Sequence, residues 1–141
     1  MIQLKTPQEI QGMRTPAKID AEVLSIVRQN CVEGVTTYDL DRIAVEETLK
    51  RGGNPTFKGY RGFPASLCTS INQEVVHGIP SKKRVLKSGD VIGIDFGVTY
   101  NGFIGDHAIT VPIGEVSEEL EQLLKVTEEA LLNGIEAARP G

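Results

Sequence analysis

Asp95 and Asp106 are the residues on which chemistry can be built, because the sequence between them folds them together. Val91 to Thr99 and Phe103 to Ile109 are apolar runs on either side of Tyr100-Asn101-Gly102. Asn-Gly between two such runs signals a two-residue type I′ hairpin, in which both central residues take positive φ. Pairing Tyr100 with Phe103 sets Gly97 opposite Asp106 and Ala108 opposite Asp95, so the two carboxylates become diagonal neighbours on one sheet face. Gly93 and Gly97 share that face and leave room above it, while Ile92, Ile94, Phe96 and Val98 point the other way into a core. Like charges held this close repel unless a proton or a cation lies between them. Oxygen donors suit divalent ions such as Mn, Co, Fe(II) or Mg. The same two acids also fit a plainer arrangement, one capping a turn and the other solvated, and a three-residue turn would put them on opposite faces.

The elements that must position this hairpin come before and after it. Thr6-Pro7-Gln8-Glu9 is a helix start, with Thr6 as N-cap, Pro7 in the first turn and Glu9 completing a capping box. Ile10, Met13, Ala17, Leu24, Val27 and Cys31 keep helical spacing, and Pro16 is expected to kink or restart the helix. Thr37 is expected to cap a second helix, with Leu40, Ile43, Ala44 and Leu49 as its apolar stripe and Gly52-Gly53 beyond its end. Residues 53 to 64, rich in Gly, Pro and aromatics, read as a loop able to line a pocket. Ala65 to Ile71 and Glu74 to His77 read as strands broken at Asn72, and Ser81 to Gly89 as a basic turn. Ser117 caps a last helix whose first turn holds Glu118 and Glu119, with Leu120, Leu123, Leu124, Leu131 and Ile135 as the stripe expected to be buried.

Composition narrows the class. A chain of 141 residues that is 40% hydrophobic fits one globular domain. Its net charge of −4 and pI near 5.2 leave no footprint for nucleic acid, and Lys82-Lys83-Arg84 reads as a solvated loop. Cys31 and Cys68 lack the spacing of a zinc knuckle, a redox motif or a disulfide framework, which points to a reducing cytoplasm. The first residues have no apolar core of a signal peptide, and no stretch approaches membrane-spanning length. Ser66, Ser70 and Cys68 lie in no nucleophile-elbow pattern, and two histidines leave few bases for a serine or cysteine nucleophile. Glu22, Leu24 and Gly34 recur as Glu129, Leu131 and Gly141 at identical spacing. That echo suggests a second copy of the first unit, beginning near residue 129 and cut off at Gly141.

Asn72-Gln73-Glu74-Val75-Val76-His77-Gly78-Ile79-Pro80, followed by Gly89-Asp90-Val91 and the hairpin from Asp95 to Asp106, closely resembles a type I methionine aminopeptidase. The likeness runs from the Thr6 helix start to Ala138-Arg139-Pro140-Gly141. It implies an α+β pita-bread fold, of which residues 1–141 form the N-terminal half, a curved antiparallel sheet flanked by helices and truncated at the C-terminus. In that family two pseudo-symmetric halves enclose a dinuclear site, so two divalent ions (Co, Mn, Fe(II) or Zn) are implied as cofactors.

By the same resemblance Asp95 is a metal ligand and Asp106 bridges both metals, while a further histidine and two glutamates belong to the other half. His77, by itself a strand-end histidine beside a turn, becomes the group that hydrogen-bonds the substrate near the scissile amide. Phe57, Tyr60, Phe63 and Cys68 match positions that line the methionine pocket. Arg61 departs from the histidine of many bacterial relatives, and Phe57 is bulkier than the usual residue. His107 follows Asp106 directly and so faces the other side of the sheet, which suits a structural role.

The activity implied is metal-dependent removal of N-terminal methionine from nascent polypeptides, close to the ribosome and in the cytoplasm, with no nucleic-acid or membrane partner; it is the activity of the whole domain, and the 141 residues alone are expected to be inactive. A different reading is a non-catalytic pita-bread half acting as a binding module or an inactive fragment, since two aspartates alone make a poor metal site.

Overall fold

The computed structural model describes residues 2–141. Its elements are α1 (Pro7–Gln29), α2 (Thr37–Lys50), a two-residue strand β1 (Asn54–Pro55), a 3-10 turn at Tyr60–Gly62, β2 (Leu67–Ile71), β3 (Val91–Tyr100), β4 (Phe103–Pro112) and α3 (Glu118–Ala137). All pairings are antiparallel. β3 is the central strand, with β4 on one side and β2 and β1 along the other. The α+β class expected from the sequence is the one observed.

The first helix begins as its capping box requires: Glu9 N–H donates to Thr6 Oγ1 at 3.2 Å, and Thr6 N–H donates to Glu9 Oε2 at 2.7 Å. Pro16 neither breaks nor restarts it, and α1 runs unbroken to Gln29. Packing outweighs the lost backbone bond here. Pro16 is buried where α1 crosses β4, and the strand offers Gly105 at the crossing. A β-carbon at Gly105 would lie 2.5 Å from Ala17 N and 2.6 Å from the Pro16 carbonyl carbon. One turn earlier, Gly12 makes room for the Phe103 ring in the same way. Helix α2 is capped by Thr36, one residue before the expected Thr37, with Asp39 N–H donating to Thr36 Oγ1 at 3.1 Å. Thr37 is instead fully buried and tied to Ser81.

Ile19, Val23, Leu24 and Val27 of α1 and Leu40 and Ala44 of α2 meet Ile92, Ile94, Phe96 and Val98 of β3, with Leu67, Leu86, Val111 and Ile113 closing the core. The sheet therefore has a helix-covered face and a second, open face. Leu49, expected on the buried stripe of α2, is 55% exposed, and Ile10 and Met13 of α1 are also exposed.

Two expectations fail. Residues 74 to 77 form no strand: the chain turns at Asn72 (φ 54) and again at His77 (φ 60), conformations that cannot continue a pleat. Helix α3 is capped at Ser117 as expected, yet it buries nothing. Leu123, Leu131 and Ile135 are about 60% exposed, and Leu120 and Leu124 are only half-buried. The stripe is amphipathic, but nothing among the described residues covers it.

Candidate functional site

The hairpin register is the one its turn dictates. Tyr100 pairs with Phe103, Gly97 with Asp106 and Ala108 with Asp95. Asn101 (φ 48) and Gly102 (φ 81) both occupy the left-handed region that a type I′ turn needs. Asp95 and Asp106 consequently share the open face, diagonal to one another. Asp95 is half-buried and Asp106 exposed. Burial holds the Asp95 carboxyl above its ordinary range, Asp106 repels it further in the same direction, and His77 pulls the other way. A cation beside the two carboxylates would relieve the repulsion on Asp95.

Three further elements converge on this face. Cys68 of β2 pairs directly with Asp95 and so shares its side of the sheet. Its thiol is pushed up to about 11 by burial and then by the two aspartates, so it stays protonated and apolar in character. Phe57 reaches over Gly97, where a β-carbon would lie 2.8 Å from the ring, and any larger residue there would push the ring away. The loop that carries Phe57 is closed on itself by Tyr60 N–H to the Phe57 carbonyl (3.0 Å) and Gly59 N–H to the Phe63 carbonyl (2.8 Å). Phe63 is half-buried, whereas Tyr60 is 62% exposed with Arg61 over its ring. Asp41 of α2 sets where this loop enters β2, accepting from both Ser66 N–H and Leu67 N–H at 2.8 Å.

His77 is near enough to Asp95 to pull on its carboxyl, and its segment is fixed because Gly78 is laid against β2. Thr69 N–H donates to the Gly78 carbonyl at 2.7 Å, and Gly78 N–H donates to Ser70 Oγ at 3.2 Å. A β-carbon at Gly78 would come within 2.0 Å of the Thr69 carbonyl oxygen, so only glycine permits this approach. His107 faces the helices and meets Asp20 of α1, with Nδ1 and Oδ2 3.0 Å apart. It is thereby separated from the open face, as the strand alternation predicts. A groove of about 470 Å³ between α2 and the segments at Pro64–Ala65 and Ile79–Pro80 is lined by none of the expected site residues. Asp20, Asp41 and Gly78 carried no sequence signal of their own, because their partners are 25 or more residues away or belong to the backbone.

The donor set suits a divalent metal in part. Two carboxylates on one face, Asp95 half-buried and Asp106 exposed, offer hard oxygen donors. No group of three or more His, Cys, Asp or Glu side chains is arranged for a metal among the described residues. Asp95 and Asp106 could supply two oxygen donors to such an ion, and no third among the described residues joins them.

The sequence pattern of metallopeptidase family M24 matches residues 11–141. The chain belongs to that family. Within M24 its relatives include methionine aminopeptidases of Aquifex aeolicus, 51% identical over 99% of this chain and 57% of theirs, and of Clostridium acetobutylicum, 52% identical over 98% of this chain and 55% of theirs. The crystal structure of methionine aminopeptidase from Thermotoga maritima superposes with a TM-score of 0.97 at 41% identity, over 100% of this chain and 57% of that one. These likenesses identify the architecture as that of the pita-bread M24 enzymes. The M24 chain described here spans a little over half the length of the relatives it matches.

Proposed function

We propose that residues 1–141 are the N-terminal half of a methionine aminopeptidase domain, which removes the initiator methionine from nascent polypeptides in a metal-dependent hydrolysis. The observation that carries this reading is the diagonal placement of Asp95 and Asp106 on the open sheet face of an M24 chain about half identical to methionine aminopeptidases. Asp95 and Asp106 would hold divalent metal of the Co, Mn, Fe(II) or Zn type through their carboxylate oxygens. A metal bound there supplies an activated water and a Lewis acid for the scissile carbonyl.

The chain's own residues then bind and orient. His77 hydrogen-bonds the substrate beside the scissile amide. Phe57, Phe63 and Cys68 form an apolar wall for the methionine side chain, with Tyr60 at its rim. The negative open face attracts a protonated substrate amino terminus. The partner is a polypeptide emerging from the ribosome, and the compartment is the cytoplasm. Two free, buried thiols accord with a reducing compartment.

A second reading, a non-catalytic half that binds a partner, is favoured by one observation: the metal-binding face holds two carboxylates and no third ligand among the described residues. Hydrolysis of Met-Ala-Ser peptides by the full-length protein that carries residues 1–141, with and without exhaustive chelation, separates the two. Turnover lost on chelation and restored by Co, Mn or Fe(II) supports the aminopeptidase, and turnover indifferent to chelation rejects the mechanism. Absence of turnover under every metal supports the binding half.

A further inference from the structure

Arg84 belongs to a basic run, yet its side chain turns inward to 24% exposure and both terminal nitrogens are engaged. Nη1 donates to the Ile79 carbonyl at 3.0 Å, and Nη2 donates to the Glu74 carboxylate. Glu74 Oε2 also accepts from Ile71 N–H, the last residue of β2, at 2.7 Å. One guanidinium therefore ties the entry of the loop after β2 to its exit. His77 lies between those two points.

The base of this clamp is fixed independently of its side chain. Thr37 N–H, in the first turn of α2, donates to the Arg84 carbonyl at 2.9 Å, and Thr36 bridges to Val85. Leu86 follows, fully buried in the core. Replacing the Arg84 side chain leaves these backbone ties in place.

The loop needs such a tie. His77 has φ 60, a conformation in which its β-carbon crowds the following carbonyl, at a cost of about 1 kcal/mol or more. Such residues persist only where their surroundings over-determine them. Burial does not supply this: Val75 and Val76 are 89% and 61% exposed. Gly78 anchors the C-terminal side of His77 to β2; the N-terminal side is held at Glu74, by its N–H to the Ile71 carbonyl at 3.2 Å and by its carboxylate, which Arg84 ties across to Ile79.

We propose that Arg84 is a positioning residue, whose guanidinium holds the segment from Glu74 to Ile79 closed so that His77 keeps its left-handed conformation beside Asp95. Its consequence for turnover rests on the reading of His77 as a substrate-contacting group. Its consequence for the loop does not.

The test places Arg84→Ala, Glu74→Gln, His77→Ala and the Arg84→Ala/His77→Ala pair in the protein that carries residues 1–141. By backbone NMR, Arg84→Ala is expected to lower the heteronuclear NOE of residues 75 to 79 and to shift the His77 HN–Hα coupling, with the amides of α1 and β3 unmoved. Glu74→Gln keeps an acceptor for Ile71 N–H but removes the charge facing Arg84, and it should shift the same signals less. With a Met-initiated peptide, Arg84→Ala should lower kcat/KM about tenfold or more, with no additional loss on top of His77→Ala. Arg84→Lys keeps the charge without the planar fork and should recover only part of the loss. A loop as ordered in Arg84→Ala as in the parent would overturn the proposal, as would a tenfold Arg84→Ala loss that persists undiminished where His77→Ala has itself lowered turnover. If the loop loosens while His77→Ala leaves turnover unchanged, the positioning role stands and the substrate role of His77 falls.

Discussion

Asp20 and His107 meet at 3.0 Å across the seam between α1 and β4, and the aspartate side chain is completely buried. Its second oxygen, Oδ1, has no hydrogen-bond partner among the described residues. Burial pushes the Asp20 carboxyl up to about 6, against the pull of His107 and with a smaller push from Asp106 and Asp95. The folded state thus binds this proton more tightly than the unfolded chain, whose carboxyl keeps its ordinary value of 3.8. The contribution to stability is complete below the unfolded value and is lost as pH rises through the folded one.

Asp20→Asn retains an acceptor for His107 and removes the ionisation. It should flatten the fall in stability between about pH 4 and pH 7 and raise stability at neutral pH by up to about 3 kcal/mol, at about 1.4 kcal/mol per pKa unit. Urea midpoints at several pH values for both proteins check this. An unchanged slope in the variant would mean that Asp20 is not the titrating group.

Gly78→Ala should lower stability by about 2 kcal/mol, because the new methyl can be seated only by moving the loop off the Thr69 backbone. Hydrogen exchange localises the effect. The Thr69 amide should lose protection while amides across the β3–β4 hairpin keep theirs.

Asp95→Asn should raise the urea midpoint of the metal-free protein, since it removes a partly desolvated charge that Asp106 repels. The same change should weaken Mn²⁺ binding, measured by titration calorimetry. A variant both less stable in chelator and equal to the parent in Mn²⁺ affinity would contradict the role given to this pair.

Leu131→Lys should leave the stability of residues 1–141 within about 0.5 kcal/mol of the parent, because Leu131 is 63% exposed. Leu24→Ala, at a position 2% exposed, should cost about 2–5 kcal/mol. Thermal denaturation of the two variants side by side is sufficient.

What the sequence disclosed and what it withheld divide along the range of the interactions. The Asn101-Gly102 turn determines every pairing of β3 with β4, and so the sharing of one face by Asp95 and Asp106 was readable from a dozen residues. The Thr6 capping box was readable for the same reason. Pro16 misled because its acceptability depends on Gly105, nearly ninety residues away. Val75 and Val76 look like a strand in isolation, but Gly78 pairs with Thr69 and the turn at His77 ends any pleat. The α3 stripe, expected to be buried, is open among the described residues. Periodicity reports which side of a helix wants a partner, and it cannot report whether one is present.

The position of β4 gives the two aspartates different neighbourhoods. Asp95 is on the central strand, with β2 and β4 on its flanks, while Asp106 is on a strand that pairs only with β3 among the described residues. The backbone groups along the other side of β4 are free to accept another strand. Any strand that paired there would bring its alternate side chains directly beside Asp106 and one row removed from Asp95. A coordination sphere assembled in that way would have a seam running through it, with one carboxylate interior to this sheet and the other at its border.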